Sequence, residues 1–223
     1  MALKLAVLVS GSGSNLQSII DRIEDGSLDA EIRLVLSNKP DAYGLTRAEK
    51  HGLPTVALDH TAYASREDFD AAMVQKINAS GAEVVVLAGF MRLLTPVFID
   101  AFATIVNIHP ALLPSFAGCH GQRDAAGYGV KISGATVHFV DEIMDHGPVI
   151  IQAAVPVLSG EDGDSLGARI LEFEHRIYPQ ALQWLAQGRI SLKDRHVLLA
   201  EAGIPKAALC AHGLVNPPLE DGF

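Results

Sequence analysis

From residue 3 to about residue 110, short runs of Leu, Ile and Val alternate with segments of helical period, and this rhythm constrains the fold more than any other feature. LAVLVS precedes an amphipathic stretch at 15–24, and IRLVLS precedes another at 43–51. A short run at 55–58, a helix at 65–78, the run 84–88, a short helix at 95–101 and the run 104–108 continue the pattern. The strand-like runs are apolar throughout, as strands are when helices cover both faces of a parallel sheet. With right-handed crossovers, the expected class is α/β: a doubly wound, mostly parallel, Rossmann-like sheet.

After Pro110 the rhythm breaks. A loop bearing Pro and Gly runs to Gly121, followed by a short helical piece at 123–128 and two strands at 135–140 and 149–157. These strands should extend the sheet, at least one of them antiparallel. Residues 164–187 start with a capping pair, Asp164-Ser165, and end at Gly188, which predicts the longest helix of the chain. Residues 189–223 are weakly patterned and read as a small hairpin and a loose tail. The expected organisation is one domain, with a core at 1–190 and a C-terminal hairpin and tail of the same domain at 191–223.

The net charge of -9, with Lys and Arg scattered, argues against a general nucleic-acid or membrane-surface binder, because no basic stripe exists to neutralise phosphates. An anionic ligand must then be held locally. Cys119 and Cys210 form no CxxC pair and no Cys/His metal pattern, so neither a disulfide framework nor a metal is expected. The apolar run Leu5-Ala6-Val7-Leu8-Val9 is too short for a secretory core, and no stretch has the length of a membrane span; a soluble, cytoplasmic protein is expected.

Three motifs carry chemistry. Gly11-Ser12-Gly13-Ser14-Asn15 lies between the first strand and the first helix, where free N–H groups and the helix dipole favour an anion such as phosphate. A dinucleotide fingerprint needs a third glycine where Leu16 stands and an acid after the second strand, where Ser37-Asn38 stand, so NAD is not expected. A capped turn without a ligand would explain the same residues. Asn107-Ile108-His109-Pro110 ends a buried strand, at the end of an open α/β sheet that takes ligands, and alternation puts Asn107 and His109 on one side. An imidazole can relay a proton and an amide can hydrogen-bond a developing oxyanion, a pairing suited to acyl transfer. Asp145, before His146-Gly147-Pro148, could fix the tautomer of His109 or position a water, or be an ordinary turn aspartate. No GxSxG occurs, and His120, His138 and His146 lack metal-site spacing.

GSGSN, AGFMRLL, NIHPALLPSFAG and SGATVHFVDEIMDHGPVI occur in this order, and with them the chain resembles the folate-dependent formyltransferases of purine biosynthesis from about residue 3 to 190. The resemblance implies transfer of a formyl group from 10-formyltetrahydrofolate, as co-substrate, to the primary amine of glycinamide ribonucleotide. It implies Asn107, His109 and Asp145 as the catalytic triad, Gly13, Ser14 and Asn15 as the phosphate site, and Glu174 at the amine end of the ribotide. Arg66, Met91, Arg92, Leu93 and Leu94, with Asn107 and a loop running from Val140 to Asp145, would wall the folate. Read without the resemblance, Leu93 and Leu94 look like core, and Arg66 and Arg92 like solvated surface.

The pattern departs from the family at 115–131, where the His and the Gln122-Arg123 pair are kept but small residues stand between. Cys119 in this stretch reads as a buried or half-buried thiol rather than a nucleophile, since direct transfer needs no covalent enzyme. A formyltetrahydrofolate hydrolase should carry a further N-terminal domain, whereas here the first strand begins at Leu3; a methionyl-tRNA formyltransferase should carry a basic C-terminal domain, whereas few residues follow the last helix. A noncatalytic phosphate-binding module would leave Asn107, His109 and Asp145 without a role. The expected partners are the ribotide and a reduced folate, with no nucleic acid or membrane, in a monomer or weak homodimer.

Overall fold

The strand β1 (Leu3–Val9) is sealed from solvent over Leu5, Ala6, Val7, Leu8 and Val9, as an unbroken apolar run requires in the middle of a covered sheet. The computed structural model describes residues 1–200 and 212–223, and residues 208–210 in backbone only. These residues fall into two compact units, Met1–Asn107 and Ile108–Phe223.

In the first unit β1 is followed by α1 (Ser14–Glu24), β2 (Ala30–Ser37), α2 (Tyr43–Lys50), β3 (Thr55–Ala57), α3 (Arg66–Ser80), β4 (Val84–Leu87), α4 (Pro96–Ile99) and β5 (Ile105–His109), the last as far as Asn107. The strands lie in the order β3-β2-β1-β4-β5, all parallel, with Leu8 beside Leu36 and Leu87, and Leu87 beside Asn107. α1 turns Leu16, Ile19 and Ile20 inward at the i, i+3, i+4 spacing, each such side chain stabilising the unit by about 1.5–3 kcal/mol. α3 starts at Ser65, whose hydroxyl accepts from the Asp68 N–H at 3.0 Å, and stops at Gly81 in the left-handed conformation.

The second unit holds α5 (Gly121–Tyr128), β6 (Ile132–Phe139), β7 (Val149–Pro156), α6 (Gly163–Ala186), the hairpin β8 (Ile190–Lys193) and β9 (His196–Leu199), β10 (Ala208–Cys210) and β11 (Gly213–Asn216). β6, β7, β11 and β10 are antiparallel neighbours in that order. The class is therefore α/β, mostly parallel, with antiparallel C-terminal strands, as the alternation predicts.

Several boundaries differ from the sequence expectation. The cap of α6 is Asp162, whose carboxylate accepts from the Ser165 N–H at 2.8 Å, so the helix starts before the expected Asp164-Ser165 pair. β6 begins at Ile132, three residues before the expected strand, because its first residues pair with the end of β7 (Ile132 beside Pro156). The expected loose tail contains β11, whose Leu214, Val215 and Asn216 pair with Ala154, Ala153 and Gln152 of β7. A strand of that length carries too little periodicity to be seen until its partner is known. The part of the expected tail at 201–207 and at 211 lies outside the described residues. Among the described residues no helix is long and apolar enough to cross a membrane.

Candidate active site

The last residue of β5, His109, is buried, with its Nε2 2.8 Å from the Phe116 carbonyl and its Nδ1 3.5 Å from Asp145 Oδ2. A carbonyl can only accept, so Nε2 bears the proton and Nδ1 is the nitrogen turned to the carboxylate. Asn107, two residues earlier on the same strand, is half-buried and on the same face by strand alternation. Asp145 adopts the left-handed conformation (φ 51), and its side chain is only 11% exposed. Its Oδ2 accepts from the Gly118 N–H at 2.8 Å, while Oδ1 lies 3.9 Å from His138 Nε2. Burial pushes the His138 pKa down, and its Nδ1 faces the Phe139 carbonyl at 2.7 Å. His138 is therefore neutral near pH 7, with its proton on Nδ1, and adjoins Asp145 without forming an ion pair. Gly121 lets this cluster close: a Cβ there would stand 3.1 Å from His109 Nε2 and 3.2 Å from the Phe116 carbonyl.

At the start of α1, Gly13 is the N-cap in the left-handed conformation (φ 69), and no side chain caps the helix, so the Ser/Asn cap of the ligand-free reading is not formed. A Cβ on Gly13 would meet Gly44 Cα at 2.6 Å, and the Gly44 N–H donates to the Gly11 carbonyl at 3.0 Å. Arg47 Nε donates to the Ser12 carbonyl at 2.8 Å while its guanidinium lies 5.0 Å from the Tyr43 ring centre. The loop is thus moulded against the first turn of α2. Ser14 is half-buried and Asn15 buried, and the helix leaves backbone N–H groups at this end that suit an anion. Leu16, in the third-glycine position of a dinucleotide fingerprint, is fully buried in the core, and Asn38 Oδ1 accepts from the Ser10 hydroxyl at 2.5 Å.

The segment after β4 is fixed by one face of α3. Arg66 Nη2 donates to the Leu93 carbonyl at 3.3 Å, Phe69 lies 5.2 Å beneath the Arg92 guanidinium, and Asp70 accepts from the Thr95 N–H at 2.7 Å. These are positions i, i+3 and i+4 of a helix. Burial raises the pKa of Asp70, against the Thr95 N–H and the nearby Arg66 and Arg92, which lower it. Met91 N–H donates to Ser10 Oγ at 2.8 Å. Met91 and Leu93 point outward, 61% and 54% exposed, and Leu94 is half-buried, so the core reading of Leu93 and Leu94 does not hold. The segment follows a surface turn whose backbone bonds, rather than apolar burial, fix its course. Arg92 is half-buried on Phe69 rather than solvated, whereas Arg66 is exposed and hydrogen-bonded.

Val140 is half-buried at the start of the loop that carries Asp145, with Ile143 and Met144 exposed along it. Glu174 is buried on α6, 7% exposed. Cys119 is exposed, against the buried or half-buried thiol expected from sequence, because it sits at the outer turn of the loop whose neighbour Gly118 faces Asp145. Among the described residues no group of three or more His, Cys, Asp or Glu side chains is arranged to hold a metal ion.

Residues 3–182 match the model of the family described as Formyl transferase. The chain belongs to the formyl transferase family. This formyl transferase is 42% identical over 210 residues to the phosphoribosylglycinamide formyltransferase of Escherichia coli (strain K12), covering 94% of this chain and 99% of that one. It is 46% identical over 188 residues to the trifunctional purine biosynthetic protein adenosine-3 of Drosophila melanogaster, 83% of this chain but 14% of that much longer protein. Among solved structures, glycinamide ribonucleotide transformylase 1 from Symbiobacterium toebii superposes with a TM-score of 0.87 at 46% identity, over 89% of this chain and 94% of that one. Membership makes the chain a formyl-transferring enzyme.

Sequence reasoning on this formyl transferase weighed His138 only as a metal ligand and passed over Gly118, Gly121 and Arg47. His138 alternates with buried apolar residues on β6 and carries no mark beyond its residue type. Gly118 acts through its N–H and Gly121 through the absence of a side chain, properties that become visible only when the loop is folded.

Proposed function

We propose that the chain transfers the formyl group of 10-formyltetrahydrofolate to the primary amine of glycinamide ribonucleotide, a step of purine biosynthesis, in the cytoplasm. The observation that carries this reading is His109 Nδ1 at 3.5 Å from Asp145 Oδ2, with Asn107 two residues before His109 on the strand. The near full-length likeness to a phosphoribosylglycinamide formyltransferase supports the acceptor and disfavours the hydrolase and binding-module alternatives.

In the proposed reaction the neutral amine attacks the formyl carbon, and the carbonyl oxygen becomes an oxyanion that the Asn107 amide stabilises together with the His109 Nε2–H, which turns to it from the Phe116 carbonyl. The amine nitrogen then loses a proton, folate N10 gains one, and the bond from carbon to N10 breaks as the oxyanion re-forms a carbonyl. Asp145 orients His109 and serves the proton movement, itself held by the Gly118 N–H. Gly13, Ser14 and Asn15 hold the ribotide phosphate on the N-terminus of α1, and Glu174 meets the amine end. Arg66, Met91, Arg92, Leu93 and Leu94, with Val140 to Asp145, wall the folate. The working form is a monomer or weak homodimer, with residues 191–223 part of one functional domain with 1–190.

The test follows 10-formyltetrahydrofolate spectrally with and without glycinamide ribonucleotide, with His109→Ala as control. Deformylation that requires the ribotide and fails in the variant is expected. Deformylation at the same rate without ribotide would instead identify a hydrolase.

A further inference from the structure

The loop that carries Asp145 is held from outside by the tip of the C-terminal hairpin. β8 and β9 pair from Ile190 beside Leu199 to Lys193 beside His196, and the turn between them holds Asp194 in the left-handed conformation (φ 54). That turn presents Arg195, whose Nη2 donates to the His146 carbonyl and whose Nη1 lies 3.2 Å from His146 Nδ1. His146 is the residue next to Asp145. Its Nδ1 lies 2.9 Å from Asp141 Oδ2, its N–H donates to the Ile143 carbonyl at 3.2 Å, and the Ile143 N–H donates to Asp141 Oδ1 at 3.0 Å. On the far side of His146, a Cβ on Gly147 would stand 1.8 Å from the Phe139 carbonyl, so only a glycine lets the loop lie against that backbone.

The hairpin itself is anchored. The Arg189 N–H donates to the Trp184 carbonyl of α6 at 3.0 Å, Ala200 N–H to the Arg189 carbonyl at 2.8 Å, and the Arg189 guanidinium grips Glu220 at 2.8 and 3.0 Å. An unbroken path of bonds thus runs from the longest helix through the hairpin to the peptide beside Asp145. Asp145 needs such support because a non-glycine residue with φ 51 is held in place by its surroundings, not by its own preference.

We propose that Arg195 is a positioning residue for formyl transfer, bracing the His146 carbonyl so that the Asp145 carboxylate stays turned to His109. It rests on the reading that Asp145 serves the reaction and that its loop walls the folate. Arg195 lies beyond the residues matched by the family model, which end at 182.

The experiment compares the full chain with Arg195→Met, which keeps the stem and removes the donors, and Arg195→Lys, which restores one donor. Steady-state kinetics with 10-formyltetrahydrofolate and glycinamide ribonucleotide, melting temperature and amide hydrogen exchange are read together. Arg195→Met should lower kcat about fivefold, well inside the ~10²-fold cost of displacing a reacting group by ~1 Å, and raise the KM for folate. The KM for the ribotide and the melting temperature should hold, exchange at residues 143–147 should rise, and Arg195→Lys should recover most of the rate. Unchanged kcat in Arg195→Met beside an active wild type overturns the proposal, as does a loss of rate that tracks a lowered melting temperature. A wild type that does not formylate the ribotide overturns the proposed function instead, and exchange then decides the brace: unchanged protection at 143–147 refutes it.

Discussion

Asp145 lies between two imidazoles, with Oδ2 3.5 Å from His109 Nδ1 and Oδ1 3.9 Å from His138 Nε2. Burial keeps the His138 pKa below the ordinary 6.5 and leaves it neutral, against the Phe139 carbonyl on its Nδ1 and the Asp145 charge, which raise it. Unfolding would let it take a proton, so its contribution to stability is complete above pH ~6.5 and is lost as pH falls from there toward the depressed folded value. Thermal melts between pH 7.5 and 5.5 should show His138→Asn, which cannot titrate, losing less stability than the parent over that range; equal losses would discount the effect. His109 and Asn107 test the chemistry itself. If each donates to the oxyanion, His109→Ala and Asn107→Ala should each lower kcat by about 10²-fold or more at nearly unchanged melting temperature. Both residues were legible in NIHP because they share one strand, whereas His138 was not, since its part comes from what folds around it.

At the scale of elements, the first helix begins on a glycine because nothing larger fits. Gly13→Ala would strain a left-handed residue by about 1 kcal/mol and drive a methyl into Gly44 Cα, at 2.6 Å, displacing the loop. The KM for the ribotide should rise about tenfold while the KM for folate stays, measured by varying each substrate at saturating levels of the other; such an outcome rests on the phosphate lying there. α6 gives the contrasting case of a cap without a part in chemistry. Asp162→Ala removes the acceptor for the Ser165 N–H and should cost about 1 kcal/mol, or roughly 2–4 °C in melting temperature, with both KM values unchanged. The sequence placed this helix correctly but its cap two residues late, since Asp162 and Asp164 offer the same carboxylate and only the bond to Ser165 separates them.

For the whole molecule, a net charge of -9 must coexist with the two anionic substrates proposed, so on that reading their binding has to come from local N–H groups and single guanidinium groups rather than from the overall field. Because the proposed chemistry runs on amide, imidazole and carboxylate, dialysis against a chelator should leave kcat unchanged; a loss restored by a divalent ion would demand a different mechanism. The sequence by itself determined the α/β class, the order of the parallel strands' elements, the glycine turn before α1 and the Asn-x-His strand end. Those features rest on periodicity and turn residues that act within a few positions of one another. Only the tertiary structure decided that Asp145 meets His109 across a separation of 36 in sequence number, that Gly118 and His138 flank it, that β11 pairs with β7, and that Arg195 reaches His146. Such contacts leave no local signature, because each depends on where distant backbone is carried by the packing of the core, and a glycine or a carbonyl that completes them looks in sequence like any other.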